Sequence, residues 1–339
     1  MKTAIVILNW NGAEMLRRFL PSVCEACEAD CEVLVADNGS TDHSLTMLRE
    51  EFPSVRQIAL PRNYGFAEGY NQALKDVEAE YYVLLNSDVR VEIGWLRPLI
   101  KYMDEHPECA ACQPKLLSES APTCFEYAGA CGGFIDRLGY PLCRGRMFTT
   151  VEKDEGQYDI IAPILWASGA ALFIRKSDWE TVGGLDGRFF AHMEEIDLCW
   201  RLRARGRQIV CIPQSRVFHV GGGTLAQGNP RKTFLNFRNN LLLLYKNLPQ
   251  SELKPVMRWR FWLDYLAALK FLVGGSMDEA KAVWRARREF HRIKNSFKPQ
   301  RKENLRKATG DTIPEILPYS LLIAYYLRGR KTFSQLQKP

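Results

Sequence analysis

Acidic side chains stand at three places where they could act on a bound substrate. Asp37 and Asp88 each close an apolar run of strand type, and Glu194, Glu195 and Asp197 open a helical pattern after an aromatic turn. A carboxylate at the end of a strand can accept from a nucleobase or ribose hydroxyl, or can hold a hard divalent cation that it shares with phosphate oxygens. A carboxylate whose pKa lies near the working pH can act as a general base.

Each of these residues also has a structural interpretation. Asp37 fits an Asx turn before the next helix, and Asp88 fits a turn carboxylate. The acidic side chains at 194–197 would interact favourably with the positive end of a helix dipole, and Asp197 has the i,i+4 spacing of an ion pair with Arg201. His219 follows a strand, where a lone histidine is more often structural. The three glycines after Val220 nevertheless favour a mobile loop there, and imidazole suits manganese better than calcium.

The elements that must position these residues alternate between strands and helices. Strands are predicted over Ala4–Leu8, Glu32–Ala36, Val55–Ala59, Tyr81–Leu85 and Cys109–Gln113, with helices over Ala13–Glu28, Ser44–Glu51, Phe66–Val77 and Trp95–Glu105. This order predicts an α/β fold with a doubly wound, mainly parallel sheet, whose ligands bind beyond the carboxyl ends of the strands.

The second half of the chain is less regular. Residues 116–160 are rich in Gly, Pro and Cys and are interpreted as irregular excursions or short hairpins. A helix is predicted over about Glu195–Arg205, a strand over Gln208–Ile212, and amphipathic helices around Thr233–Leu248 and Trp259–Val273. We therefore expect a nucleotide-binding and catalytic domain over residues 1–230 and a helical, basic region over 231–339.

Charge and cysteine content narrow the class of protein. The net charge is +7, yet residues 281–307 alone carry eleven Lys and Arg against two Glu, so the rest of the chain is slightly acidic and no nucleic-acid partner is expected. The basic stretch, with Trp284, Phe290, Ile293 and Phe297, suggests contact with anionic lipid; a solvated helical face is the alternative. The ten cysteines, including two Cys-x-x-Cys pairs, are interpreted as reduced thiols.

Two nucleotide-binding motifs are absent from the sequence. No G-x-G-x-x-G opens a helix after the first strand, and no G-x-x-x-x-G-K-[ST] occurs, so the dinucleotide fingerprint and the P-loop are excluded. Asn9-Trp10-Asn11-Gly12 is also not the basic, Gly-rich phosphate loop that a nucleotidyltransferase would carry after its first strand.

The weak signals match one family when they are taken in order. The chain resembles a family 2 glycosyltransferase with the GT-A fold, of the bacterial rhamnosyltransferase-like or galactofuranosyltransferase-like kind, over about residues 1–245. The segments that carry this resemblance are Asn9–Gly12, Asp37–Asp42, Arg62–Asn71, Leu84–Asp88, Ser168–Ala170, Phe189-Phe190 with Glu194–Leu198, and His219.

The resemblance implies a role for each matching residue. Asp37 would contact the donor's pyrimidine or ribose, and Asp88 and His219 would hold Mn²⁺ or Mg²⁺. Glu195 falls at the position of the catalytic base, where Asp is more usual, and Glu194 and Asp197 lie beside it. The donor nucleotide would be surrounded by Asn9, Asn11, Asn63, Gly69, Asn71, Asn86 and Ser87, and the acceptor pocket would be lined by Trp166, Gly169 and Ala170.

The resemblance therefore implies an inverting, metal-dependent transferase. It would move a sugar, such as rhamnose or a related sugar, from a nucleoside-diphosphate donor to a hydroxyl of a cell-surface glycan or polyprenyl-linked acceptor. A catalytically silent nucleotide-binding scaffold of a polysaccharide-assembly complex is the alternative. No signal peptide or membrane span is recognised, so a cytoplasmic location, peripheral on the inner face of the plasma membrane, is expected, and a homodimer stays open.

Overall fold

The computed structural model describes residues 1–221, 228–310 and 312–336. In the first third of the chain the predicted alternation of strands and helices is present. The elements are β1 (Thr3–Asn9), α1 (Ala13–Glu25), β2 (Cys31–Asp37), α2 (Ser44–Glu51), β3 (Arg56–Ala59), α3 (Gly65–Ala73), β4 (Tyr81–Asn86), β5 (Val89–Val91), α4 (Leu96–Glu105) and β6 (Cys109–Ser118). The main differences from the sequence-based prediction are at element ends: α1 stops three residues early, α3 four residues early, and β6 runs five residues further.

The middle of the chain adds short strands and the helix that carries the acidic run. These elements are β7 (Gly133–Asp136), β8 (Pro141–Cys143), β9 (Arg146–Met147), β10 (Thr150–Val151), β11 (Ala162–Pro163), β12 (Ala171–Arg175), α5 (Lys176–Val182), α6 (Glu194–Ala204) and β13 (Gln208–His219). Residues 116–160, expected to be irregular or to form short hairpins, thus supply β7–β10 of a second sheet.

Within the described residues, nine strands form the main sheet. Strands β3, β2, β1 and β4 are parallel to one another, as predicted. Strand β12 runs antiparallel between β4 and β6, so the second half of the sheet is mixed. This reversal places the start of β12 at the same edge as the end of β4, with Ala171 opposite Leu85.

The C-terminal region packs helices against this sheet. It contains α7 (Pro230–Asn247), α8 (Gln250–Val273), α9 (Met277–Ile293), α10 (Lys298–Lys307), β14 (Ile316–Leu317), a π-helical turn (Ile323–Leu327) and α11 (Phe333–Leu336). Leu241, Leu242, Leu243 and Leu244 of α7 belong to the same apolar core as Val6 of β1. Strand β14 joins the second sheet beside β7, so the end of the chain completes a sheet begun in the middle.

The basic stretch, which the sequence suggested as a lipid-facing surface, is turned partly into the protein. Phe290 and Phe297 are buried in the core. The Arg287 guanidinium donates to Asp264, and Arg301 donates to the carbonyl oxygens of Tyr245 and Leu248. Helices α9 and α10 pack on α7, which buries these two rings and two arginines, whereas Trp284, Arg285 and Arg288 stay exposed. Among the helices that the structure describes, none has the length and apolarity to cross a bilayer.

A buried ion-pair network fastens α7 to the sheet domain. Lys246 donates to Asp186 at 2.8 Å and to Asp197 at 2.7 Å, and Arg201 donates to Asp197 at 2.9 Å. Asn247 donates to the other oxygen of Asp197 at 2.9 Å. Asp197 is fully buried, so its charge is compensated only by these partners.

Replacing Asp197 with Ala should lower the free energy of unfolding by about 3 to 5 kcal/mol, because Lys246 and Arg201 are then left as buried charges without their shared partner. Urea denaturation followed by circular dichroism measures this. Asp278→Ala removes a carboxylate from an exposed pair with Lys281 and serves as the control, with an expected change below about 1 kcal/mol. Equal midpoints for the two variants would contradict the structural role of Asp197.

Candidate active site

Asp88 and His219 meet at one edge of the main sheet. Asp88 lies in the turn between β4 and β5, and His219 ends β13, which pairs with β5 so that His219 is opposite Val89. His219 Nε2 lies 3.1 Å from Asp88 Oδ1 and 3.3 Å from Asn86 Nδ2. The ladder between β5 and β13 therefore brings together side chains that are 131 positions apart in the sequence.

Glu126 faces the other side of the His219 ring, with its Oε1 atom 3.3 Å from Nδ1. Burial alone would lower the pKa of His219. The hydrogen bonds to Asp88 and Glu126 and the negative charges of these two carboxylates outweigh that effect and raise the pKa of His219 to about 10. Burial likewise would raise the pKa of Asp88, yet its bond to His219 lowers it below the usual value. The imidazole is thus held as a charged link between two carboxylates.

This donor set fits a divalent cation shared with a diphosphate. A carboxylate oxygen and an imidazole nitrogen within 3.1 Å of each other are ligand types that Mn²⁺ accepts, and Mg²⁺ can use the carboxylate. A carboxylate behind a ligating histidine, as Glu126 stands here, commonly fixes the ring's orientation. In the part of the chain that the structure describes, no group of three or more His, Cys, Asp or Glu side chains forms a metal cluster. A cation held here by Asp88 and His219 together with phosphate oxygens would displace the Nε2 proton of His219, because only the neutral imidazole can be a metal ligand.

The acidic run follows a strained loop. Phe190, His192 and Met193 have positive φ angles of 67°, 70° and 71°, in the region that L side chains rarely adopt. The Phe190 carbonyl accepts from the first turn of α3, at 2.7 Å from Phe66 N. The Phe190 ring lies over Gly65, where an added Cβ would come within 2.5 Å of it. The aromatic turn is thus locked against α3.

Asn239 of α7 holds the same loop from below. Its buried amide nitrogen lies within 2.9 Å of the carbonyl oxygens of Phe189, Ala191 and His192. Arg238 adds a bond to the Phe189 carbonyl at 2.9 Å. Strained backbone persists only where surrounding bonds over-determine it. The C-terminal helix α7 therefore sets the loop that aims Glu194 and Glu195.

Glu195 and Glu194 differ in their access to solvent. Glu195 keeps partial exposure while its Oε2 atom is buried with no hydrogen-bond partner in the described structure; Glu194 is 4% exposed and its Oε2 is likewise unpartnered. Burial raises the pKa of Glu195 to about 7, and burial together with the charge of Glu195 raises the pKa of Glu194 well above its usual value. Asp197, in contrast, has both oxygens bonded within the core, which leaves it no access to a substrate hydroxyl.

The Gly169-Ala170 segment joins the two halves of the site. The Ala170 carbonyl accepts from Asn86 N at 3.0 Å, beside Asp88. A Cβ added to Gly169 would lie 3.1 Å from the Phe66 ring and 3.9 Å from Glu195 Cβ. The Gly169-Ala170 segment is therefore close both to Glu195 and to the end of β4 that leads to Asp88.

The residues expected around the nucleotide form a bonded edge at the ends of β1 and β2. Asn9 Nδ2 donates to Asp37 Oδ2 at 3.1 Å, and Asp37 Oδ1 accepts from Ser40 N at 2.9 Å, which is the turn that Asp37 was expected to form if it were structural. Asn11 has a φ of 51° and accepts from Thr41 N at 2.7 Å. Asn9 Oδ1 is buried without a hydrogen-bond partner in the described structure, so this edge retains one oxygen that can accept a hydrogen bond from a ligand.

The remaining expected contacts are taken up by the protein itself. Asn63 Oδ1 accepts from Gly65 N at 2.7 Å, and Gly69 lies where an added Cβ would come within 2.9 Å of Leu8. Asn71 bonds both the N–H and the carbonyl of Leu185, so its amide anchors a loop and is not free for a nucleotide. Trp166 is buried, with Nε1 donating to the Phe134 carbonyl at 3.0 Å, and supports the second sheet instead of an acceptor pocket.

Two residues of the site escaped the sequence analysis. Glu126 stands alone between Phe125 and Tyr127, and nothing in that pattern signals a partner for His219. Asn239 did leave a signal, because Asn239-Asn240 is a pair of poor helix formers inside a helix.

Ser87, which was expected near the nucleotide, lies close to the start of α1, with its Oγ 3.7 Å from the Cβ position of Gly12. The predicted mobile loop at 221–224 lies outside the described residues beyond Gly221.

The fold is similar to that of the GT-A glycosyltransferases. Residues 4–122 match the model of glycosyl transferase family 2, so this part of the chain is similar to the family 2 glycosyltransferases. It is 27% identical to the N-acetylglucosaminyl-diphospho-decaprenol L-rhamnosyltransferase of Mycobacterium tuberculosis, over 63% of this chain and 75% of that protein.

Solved structures support the fold. The structure of S. aureus TarS 1–349 in complex with UDP-GlcNAc superposes with a TM-score of 0.56 at 13% identity, covering 91% of this chain and 89% of that chain. GalNAc-T7 with UDP, GalNAc and Mn²⁺ superposes with a TM-score of 0.57 at 15% identity, covering 73% of this chain and 48% of that chain.

Replacing Asn239 with Ala should lower the free energy of unfolding by about 1 to 3 kcal/mol, because buried carbonyl groups of the loop lose their donor. Turnover of a donor sugar nucleotide by the folded variant should also fall, since the loop no longer holds Glu195 in place. Asn295→Ala, at an exposed asparagine, is the control. If Asn239→Ala loses stability but keeps the wild-type rate per folded molecule, Asn239 does not position the acidic run.

Proposed function

We propose that this protein is an inverting, metal-dependent glycosyltransferase that moves a sugar from a nucleoside-diphosphate donor to an acceptor hydroxyl. One observation carries the proposal. Glu195, whose carboxyl has a pKa of about 7 and which keeps partial exposure, is near the Gly169-Ala170 segment, and that segment also bonds Asn86 beside the Asp88–His219 pair. Direct displacement at an anomeric carbon needs a general base for the acceptor and a site that stabilises the leaving anion, and these residues would supply both.

Glu195 would remove the proton from the acceptor hydroxyl as that oxygen attacks the sugar from the face opposite the diphosphate. A divalent cation held by Asp88 and His219 would supply charge stabilisation for the diphosphate as it leaves. One carboxylate is enough, because a diphosphate leaves without being protonated, whereas a glycosidase needs a second carboxylic acid for its leaving group. A single displacement inverts the anomeric configuration.

The donor and acceptor classes follow from the relatives. The Mycobacterium tuberculosis relative is named for transfer of L-rhamnose to an N-acetylglucosaminyl-diphospho-decaprenol, and we propose rhamnose or a related sugar as donor and a lipid-linked or cell-surface glycan as acceptor. Asp37 and Asn9, with Asn11, would hold the nucleoside. A nucleotide-linked donor and a lipid-linked acceptor favour work at the cytoplasmic face of the plasma membrane.

Glu195→Gln should reduce transfer by about 10² to 10⁴-fold, which is the usual contribution of a general base. In the wild type, Glu195 must be deprotonated to act, so the rate should rise with pH through about 7 and level off above it. The pH profile of kcat/KM measures this. Glu194→Gln is the matched variant and should retain most activity. A profile that is flat between pH 5.5 and 8.5 would exclude a base with this pKa of about 7.

Asp88→Asn should abolish the stabilisation that nucleoside diphosphates give in the presence of Mn²⁺, since one of the two cation ligands loses its charge. A thermal-shift panel with the diphosphates of uridine, deoxythymidine and guanosine measures this, because binding raises stability by mass action. Asp76→Asn, at an exposed carboxylate in the turn after α3, is the control. A wild type that binds a nucleotide with Mn²⁺ yet neither transfers nor hydrolyses any sugar nucleotide would support the silent scaffold instead.

A further inference from the structure

Helix α8 carries a stripe of large apolar side chains that the protein leaves exposed. Trp259, Trp262, Leu266, Leu269 and Val273 are spaced three and four residues apart, so they lie along one face for about 21 Å of the helix. Trp259 is 61% exposed and Trp262 is 66% exposed. Phe261, Tyr265 and Leu272 widen the stripe on one side, and all three are exposed. We call this set of eight residues the α8 face.

The α8 face continues onto the last part of the chain. Tyr326 and Leu327, in the π-helical turn, are also exposed, with Leu327 at 79%. Lys270 of α8 lies 5.5 Å from the Tyr326 ring centre, which joins the two elements. An exposed apolar surface of this breadth marks an interaction site.

Beyond its first turn, which carries the exposed Glu252, helix α8 has only positive charges exposed to solvent in the described structure. Lys254, Arg258 and Lys270 are exposed. The only acid between residues 253 and 273 is Asp264, which is buried and bonded to Arg260 and Arg287. An apolar stripe rich in Trp and flanked by cations complements an anionic bilayer surface, where indole rings occupy the headgroup level and cations meet phosphates.

A bilayer surface fits this face better than a second copy of the chain. The three-and-four spacing would suit a helix pair, but a helix-pair seam is narrow, whereas the α8 face is several residues wide and extends onto another element. Two copies paired through the α8 face would also bring Arg258 and Lys270 together, and no exposed acid lies between residues 253 and 273 to oppose them. None of the described helices can cross the bilayer, so α8 would lie along its surface.

The C-terminal end of the α8 face is connected to the candidate active site through α9 and α7. The end of α8 leads through Gly274-Gly275 into α9, whose Glu279 accepts from Thr233 at the start of α7. In the same turn of α7, Arg231 Cζ lies 5.2 Å from the ring centre of Phe190, in the loop that precedes Glu194. The C-terminal end of the α8 face is therefore on the side of the molecule where α7 meets the acidic run.

We propose that the α8 face docks the enzyme on an anionic membrane surface, with α8 lying in the interface and the active site turned towards acceptors held in that membrane. The membrane contact rests on the exposed residues alone; the purpose given to it rests on the proposed function. The docking surface is therefore α8, not the basic stretch 281–307 that the sequence suggested.

Flotation of the full chain with vesicles tests the docking. Vesicles of phosphatidylcholine mixed with phosphatidylglycerol are compared with vesicles of phosphatidylcholine alone. Two variants each remove part of the stripe, Trp259→Gln with Trp262→Gln, and Leu266→Gln with Leu269→Gln. The control pair is Ile93→Gln with Ile160→Gln, which removes two exposed apolar side chains from loops outside the C-terminal helices. Circular dichroism melts confirm that each variant is folded.

The wild type and the control should float with the anionic vesicles and less with phosphatidylcholine alone. Each stripe variant should lose at least about tenfold in the vesicle-bound fraction, because buried apolar area and headgroup contacts are lost together. Absence of flotation, equal flotation of all variants, or a stripe variant that only turns a dimer into a monomer in light scattering overturns the proposal. The stripe variants should keep the Mn²⁺-dependent thermal shift with a nucleoside diphosphate, so failure of the docking and failure of the proposed function are separate results.

Discussion

The placement of His219 between two buried carboxylates is the constraint on which the site depends. The imidazole joins the end of β13 to the turn after β4 through Asp88, and to the segment before the second sheet through Glu126. These three segments are distant in sequence, and a charged ring that is almost excluded from water fixes them at one edge of the sheet. The geometry that would hold a cation is thus part of the fold and is present wherever the sheet forms.

The other half of the site depends on the C-terminal helices. The sheet supplies Asp37 and Asp88, but the loop before Glu195 is strained and is held by Asn239 and Arg238 of α7. Lys246 of the same helix compensates the charge of Asp197 in the first acidic turn. A chain that ended before α7 would keep the bonded edge at the ends of β1 and β2, but the loop before Glu195 would lose the hydrogen bonds that support it. The C-terminal helices that support Glu195, the proposed base, also carry the exposed α8 face. The proposed catalytic residue and the proposed membrane contact thus depend on the same group of helices.

The sequence predicts the first third of the fold, and the sheet edge at which Asp37 and Asp88 lie, because local signals decide them. Apolar runs that end in polar residues mark β1, β2 and β4, and the carboxyl ends of parallel strands lie at one edge. The antiparallel direction of β12 was missed, since strand direction depends on long-range pairing that no local pattern records. Trp166 and Asn71 were expected at the substrate and instead bond backbone groups, because a residue type alone does not reveal which partner is nearest. Phe290 and Phe297 were expected at a lipid surface and lie in the core, and the residue type alone did not reveal those packing partners either.

The central claim is that Asp88 and His219 hold one divalent cation against a bound diphosphate. Electron spin echo spectroscopy of Mn²⁺ bound to the chain with a nucleoside diphosphate, using ¹⁵N-labelled histidine, tests it most directly. The account predicts coupling from one imidazole nitrogen that disappears in His219→Gln and persists in His43→Gln, a substitution at an exposed histidine. Absence of any imidazole coupling in the wild type, or coupling that survives His219→Gln, would contradict it.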